Sequence, residues 1–170
     1  MVLIREDIRR IAGEMLTIGF SGPTVDAELK SLVKEFKPLG LILFARNITS
    51  LEQLSELNRE LKSLRPSEPL MLSVDQEGGR VARLVEPATP WPPMRMLGHI
   101  NDLNLTYRVG AALAKELRAL HFDIDYAPVL DVDSNPKNPV IGDRAFSDHP
   151  ATAAAHGAAL IRGLQEHGIA

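Results

Sequence analysis

The sequence predicts an α/β protein: a (β/α)8 barrel, of which residues 1–170 supply roughly the first half. Three observations carry this expectation. Short apolar runs alternate with stretches of helical period, and such βα units with right-handed crossovers build a parallel sheet. The segments that combine glycine with charged residues follow the third and fourth apolar runs, where a barrel carries its functional loops. No G-x-G-x-x-G follows the first run, as a doubly wound dinucleotide fold would require. A whole barrel needs about 250 residues. The expectation is therefore that residues 1–170 form the amino-terminal part of a single barrel domain. Its open edges and uncovered sheet face are left for the rest of the barrel, or for a second chain, to close.

The elements follow in order. Ile4, Ile8, Ile11 and Met15 share one helical stripe, and Leu16 to Phe20 reads as a short strand. Val25, Leu29, Leu32, Val33 and Phe36 repeat the three–four spacing of an amphipathic helix. Gly40 to Ala45 is continuously apolar, as a strand covered on both faces should be. Ser50 and Gln53 form a capping box before a helix with the stripe Leu51, Leu54, Leu57 and Leu61. Leu70 to Val74 is the third strand. A long proline-bearing connection runs from Glu77 to about Asp102. Leu105, Val109, Leu113, Leu117 and Leu120 mark a long helix, and the segment from Asp123 to Val132 contains the fourth strand. Pro150 suits the first turn of a last helix, which Gly168 ends, and Ile169 and Ala170 read as the first residues of a fifth strand.

Bulk composition excludes several classes. The 170 residues are 45% apolar and 24% charged, with a net charge of −3, which leaves no basic footprint for nucleic acid. Arg5, Arg9 and Arg10 lie among acids and read as a solvated helix face. No cysteine is present, so neither a disulfide framework nor a thiolate zinc site is expected. The opening apolar run is too short for a signal peptide, and the longest run falls far short of the roughly 20 residues that span a bilayer. The expectation is a cytoplasmic protein with no membrane partner.

The residues with chemistry lie in three motifs. In Val74-Asp75-Gln76-Glu77-Gly78-Gly79-Arg80-Val81 an apolar strand delivers a carboxylate to its carboxyl end, and two glycines turn the chain sharply. Asp75 can accept hydrogen bonds from sugar hydroxyls; it can equally cap the loop or pair with Arg80. Arg80 and Arg83 begin the long connection. Trp91 between prolines reads as a packing anchor more than a sugar platform. In Ala127-Pro128-Val129-Leu130-Asp131-Val132-Asp133-Ser134-Asn135 the D-x-D-x-N spacing resembles a calcium loop, but Pro136 stands where glycine is needed and Gly142 where the bidentate glutamate is needed. Asp131 is expected to end the fourth strand and face the site mouth, or to cap a loop. In Gly142-Asp143-Arg144-Ala145-Phe146 the guanidinium offers a rigid fork for hydroxyls, a carboxylate or an acetamido carbonyl; an ion pair with Asp143 or Asp148 is the alternative. The histidines at 99, 121, 149, 156 and 167 form no metal-ligand pair, and no G-x-S-x-G elbow occurs. Asn47 and Asn104 head Asn-x-Thr sequons that read as chance.

Taken in order, Val-Asp-Gln-Glu-Gly-Gly-Arg-Val at 74–81, Ala-Pro-Val-Leu-Asp-Val at 127–132 and Ile-Gly-Asp-Arg-Ala-Phe at 141–146 resemble the motifs of glycoside hydrolase family 3. Asp-Gln-Glu-Gly-Gly-Arg is similar to its bacterial cytoplasmic β-N-acetylglucosaminidase branch. Met15 to Phe20 and Gly40 to Asn47 resemble the same family. The resemblance implies a retaining exo-acting enzyme that removes terminal N-acetylglucosamine from peptidoglycan-derived muropeptides, with no metal or organic cofactor. It implies that Asp75, Arg83 and Arg144 bind the sugar. It also implies a nucleophilic aspartate and a histidine acid/base, the latter in a Lys-His-Phe-Pro-Gly-His-Gly stretch after the fifth strand. Neither lies within 1–170, so no catalytic residue is expected in this segment, which alone should not turn over substrate. The rivals are another family 3 specificity, a β-glucosidase or a phosphorylase, and a non-catalytic sugar-binding half barrel.

Overall fold

The computed structural model describes residues 5–84 and 86–170. They form α1 (Arg5–Glu14), β1 (Thr17–Gly19), α2 (Ala27–Phe36), β2 (Gly40–Ile42), α3 (Leu51–Ser63), β3 (Met71–Val74), α4 (Met94–Ile100), α5 (Leu103–Ala119), β4 (Ile124–Asp125) and α6 (Pro150–Glu166). Helices α2, α3 and α5 start where side chains can satisfy the first free N–H groups. Asp26 accepts from the Leu29 N–H at 2.8 Å, Ser50 from Gln53 at 3.1 Å, and Asp102 from Asn104 and Leu105. The return half of the Ser50 box is displaced by one residue: Gln53 Oε1 accepts from the Thr49 N–H at 2.9 Å. Pro150 occupies the first turn of α6, and Gly168 follows its end at φ 85°.

The four strands are parallel and lie in the order β1-β2-β3-β4, with Thr17 beside Gly40, Gly40 beside Met71 and Ser73 beside Ile124. Sequence neighbours are spatial neighbours and the order never reverses, as in a barrel wall. Ala170 continues the wall on the far side of β4. Its N–H donates to the Asp123 carbonyl and its own carbonyl accepts from the Asp125 N–H, both at 2.9 Å. The core lies between the sheet and the helices. Leu41, Leu72 and Val74 from the strands meet Leu54 and Leu61 of α3 and Leu113 and Leu117 of α5, all without solvent contact or nearly so. At the amino ends of the strands Asp123 binds Lys62 Nζ through both oxygens at 2.7 Å and accepts the Leu72 N–H at 2.9 Å. A concavity of about 340 Å³ beside this ion pair lies at that same end, away from Asp75.

Several expectations are corrected. The connection after Glu77 holds a helix, α4, anchored by the buried Met94 and Leu97; the prolines before it mask a single i, i+3 pair in the sequence. Ala45 leaves β2 for a 3-10 turn, Ala45–Asn47, because the buried Asn47 accepts from the Phe44 N–H at 2.9 Å and donates to the Phe20 and Gly22 carbonyls. The sequon at Asn47 is thus closed to modification. The fourth strand ends at Asp125, not at Asp131, which lies exposed beyond it. Pro128 has no N–H with which to extend the ladder. Ile8, Ile11 and Met15 are exposed, so this part of the amphipathic stripe of α1 has no cover among the described residues; Ile4 falls outside them.

Candidate active site

The first motif builds its own turn. Gly78 and Gly79 have φ values of 92° and 57°, a region that L side chains enter at a cost. The Gly79 N–H donates to the Trp91 carbonyl at 2.9 Å. A Cβ on Gly78 would stand 2.5 Å from the Pro92 carbonyl oxygen, and one on Gly79 would stand 2.8 Å from Pro93 Cβ. The turn is therefore clamped by the 91–93 backbone. Trp91 is half-buried against the core and donates from Nε1 to Glu116 at 2.8 Å, in keeping with a packing anchor.

Asp75 sits just past β3 and is held by Arg83, whose Nη2 donates to Oδ2 at 2.9 Å. The expected alternative partner, Arg80, turns away: it donates to Asp143 at 3.2 Å and to the carbonyls of Pro139, Val140 and Ile141. Both Asp75 and Arg83 remain about a quarter exposed, so the pair is fixed and still reachable from solvent.

Arg144 pairs with neither Asp143 nor Asp148. Its guanidinium makes a two-pronged contact with Glu77, Nε to Oε2 at 2.8 Å and Nη2 to Oε1 at 2.7 Å. The Glu77 carboxylate pushes the Arg144 guanidinium up from its ordinary value, so it stays charged. Arg144 is positioned because the next two residues, Ala145 and Phe146, are wholly buried. Phe146 stacks on the His156 ring at 5.5 Å, and a Cβ on Gly98 of α4 would stand 1.9 Å from the Phe146 carbonyl oxygen. Arg95, also on α4, ties the same loop by donating to Asp133 at 2.6 Å and to the Gly142 carbonyl at 3.2 Å.

Beneath these residues lies Asp125, 4% exposed. Its Oδ1 accepts the Gln76 N–H at 2.8 Å. Burial first, and then the charges of Asp75 and Glu77, push its carboxyl up to about 7 against the pull of the Gln76 N–H. Glu77, Gln76, Arg95 and Asp125 were not singled out from sequence. Glu77 and Gln76 lie inside the quoted motif, but nothing in a linear pattern shows that Glu77 meets a loop 67 positions away. Among the described residues no group of three histidine, aspartate or glutamate side chains is arranged to hold a metal ion, and no helix is long and apolar enough to cross a membrane.

One carboxylate, Asp75, and two guanidiniums, Arg83 and Arg144, partly exposed at the carboxyl ends of the parallel strands, suit a polyhydroxylated ligand. The chain matches the Glycosyl hydrolase family 3 N terminal domain over residues 7–170, and it belongs to glycoside hydrolase family 3. It is similar to the beta-hexosaminidase of Nitrosomonas eutropha, 48% identical over 136 residues, which cover 76% of this chain and 38% of that one. It is also similar to the beta-hexosaminidase of Idiomarina loihiensis, 42% identical over 159 residues, covering 91% and 47%. The chain thus spans under half the length of these curated relatives. Among solved structures, a family 3 beta-N-acetylglucosaminidase from Paenibacillus superposes with a TM-score of 0.92 at 34% identity, over 96% of this chain and 32% of that one. Native NagZ from Neisseria gonorrhoeae superposes at 0.84 and 36% identity, over 92% and 46%. These neighbours are barrel domains, and the four strands seen here are one part of such a barrel.

Proposed function

We propose that residues 1–170 are the amino-terminal part of a single barrel domain and carry the sugar-binding side of a retaining exo-β-N-acetylglucosaminidase. The observation that carries this reading is the pairing of Asp75 with Arg83 at 2.9 Å, fixed by the glycine turn and open to solvent at the end of β3. In this reading the Asp75 carboxylate accepts from hydroxyls of the terminal N-acetylglucosamine. Arg83 and Arg144 donate to its oxygens, each already oriented by an acid. NagZ of Neisseria gonorrhoeae has been solved in complex with N-trifluoroacetyl-D-glucosamine, which supports an acylated glucosamine as the ligand. The substrate class is peptidoglycan-derived muropeptides and the compartment the cytoplasm, without a nucleic-acid or membrane partner.

Bond cleavage requires groups that residues 1–170 do not supply: a nucleophile at the anomeric carbon and an acid/base for the glycosidic oxygen. The segment binds and orients. The test is hydrolysis of matched p-nitrophenyl glycosides by the full-length protein, with and without the acetamido group and with and without phosphate. Preference for the N-acetylglucosaminide, independent of phosphate, is expected. Preference for the glucoside moves the assignment to a β-glucosidase, phosphate-dependent release moves it to a phosphorylase, and binding without any turnover leaves a sugar-binding half barrel.

A further inference from the structure

Among the described residues, three buried side-chain polar atoms have no partner, and two of them, Asp125 Oδ2 and Arg83 Nε, belong to the candidate site. Their two residues are linked through other atoms by hydrogen bonds to Gln76. Asp125 Oδ1 accepts the Gln76 N–H at 2.8 Å. The Gln76 side chain, wholly buried, turns back so that its Oε1 accepts the Arg83 N–H at 2.7 Å and the Leu84 N–H at 3.0 Å. Arg83 in turn holds Asp75. The register explains why an acid on β4 reaches a loop that follows β3: Val74 lies beside Asp125, and the Tyr126 N–H donates to the Val74 carbonyl at 2.9 Å. Gln76 is therefore the first residue past the paired strand whose backbone N–H can meet a β4 side chain.

We propose that Asp125 and Gln76 form a buried strut that positions the Asp75–Arg83 pair, so that β4 sets the sugar affinity of residues carried on the β3 loop. The proposal rests on the sugar-binding reading above. Asp125 and Gln76 are positioning residues: both are shielded from solvent and act only through Arg83 and Leu84. A buried network transmits position because each unmade bond leaves a desolvated donor or acceptor behind, which the fold resists.

The test is made on the full-length protein with p-nitrophenyl N-acetyl-β-D-glucosaminide, comparing Gln76→Ala, Gln76→Glu, Asp125→Ala and Asp125→Asn. Asn58→Ala serves as the control; Asn58 is a buried side chain of α3 bonded to the Leu120 carbonyl at 2.7 Å. Loss of the strut is expected to raise KM about tenfold or more in Gln76→Ala and Asp125→Ala with far less change in kcat, because displaced ligand-binding groups weaken binding steeply. Gln76→Glu and Asp125→Asn keep an acceptor oxygen and should restore KM to near the wild-type value. Asn58→Ala should lower stability and leave KM alone. Equal KM values in all the variants overturn the proposal, as does failure of the two conservative variants to rescue. Should Asp125→Ala not fold, Asp125→Asn and the Gln76 pair carry the comparison. A wild-type protein with no N-acetylglucosaminidase activity instead sinks the sugar reading. The strut is then judged by hydrogen exchange at the Arg83 and Leu84 amides: faster exchange in Asp125→Ala than in Asp125→Asn and Asn58→Ala upholds it, and unchanged exchange in Asp125→Ala ends it.

Discussion

Asp75 and Arg83 meet at 2.9 Å across a turn that contains Gly78 and Gly79 and is closed by the backbone of Trp91 and Pro92. The pair belongs to one short stretch of chain, yet its geometry is imposed from outside that stretch. This division separates what each substitution should do.

Arg83→Lys keeps the charge but not the planar fork, and a lysine cannot reproduce the fixed approach to Asp75. In the full-length protein it should reduce kcat/KM for the N-acetylglucosaminide by about tenfold or more, equivalent to the roughly 1.5–3 kcal/mol of a hydrogen bond to a charged group. Asp75→Asn should do the same. Steady-state kinetics decide, and unchanged kcat/KM in both variants would remove the pair from the binding site.

Arg144 and Glu77 form the more buried pair, with side-chain exposures of 22% and 6%. Arg144→Ala leaves the Glu77 carboxylate buried and unpaired, which should cost about 3–5 kcal/mol of stability. The double variant Glu77→Gln with Arg144→Ala should recover a substantial part of that loss. Urea denaturation of the four proteins gives the coupling directly, and additive losses would show that the pair is not energetically linked.

Gly78→Ala and Gly142→Ala separate backbone strain from crowding. Both positions have positive φ, but a Cβ at 78 meets the Pro92 carbonyl oxygen at 2.5 Å, whereas nothing lies within 4 Å of one at 142. Gly142→Ala should cost about 1–2 kcal/mol, the price of the left-handed conformation. Gly78→Ala should cost clearly more and should also impair sugar binding. Similar losses at the two sites would contradict the clamped turn.

Two buried groups should pull stability in opposite directions with pH. Asp125 rises from 3.8 to about 7 in the fold, chiefly through burial. Its contribution is therefore complete below the unfolded value and is lost as pH rises toward 7. His156 is buried between the Thr106 hydroxyl, 2.8 Å from Nδ1, and Asn101 Oδ1, 3.2 Å from Nε2. Burial lowers its pKa, with Asp102 opposing weakly, so its contribution is present above about 6.5 and is lost as pH falls. Relative to wild type, Asp125→Asn should gain stability as pH rises from 4 to 8, and His156→Gln should gain as pH falls below 6.5. Denaturation midpoints across this range test both; parallel curves for all three proteins would refute the assignment.

Much of the architecture was legible because hydrophobic period is a local property. The three–four spacing in α2, α3 and α5 and the apolar runs of β2 and β3 are written in consecutive residues, and the capping residue Ser50 does its work within a turn; the caps Asp26 and Asp102 show only in the structure. The limits of the elements were less legible. Strand β4 ends early because Pro128 cannot donate, and α4 was hidden because one buried Met94–Leu97 pair makes too short a pattern to stand out among prolines.

The site divides along the same line. The motifs alone placed Asp75, Arg83 and Arg144 at strand-end loops and gave Gly78 and Gly79 their turning role, since an acid after an apolar run and two adjacent glycines constrain the chain locally. Pairing was beyond their reach. Arg80 and Asp143 are neighbours to the favoured candidates in sequence, but Arg83 won Asp75 and Glu77 won Arg144, because which charges meet depends on how β3, α4 and the 139–146 loop come together. Asp125 was silent for the same reason. An aspartate in a short alternating strand carries no sign of burial until β3 lies beside it and Gln76 turns its N–H inward. Local periodicity is encoded by neighbours in the chain; electrostatic partnership and desolvation are properties of neighbours in space.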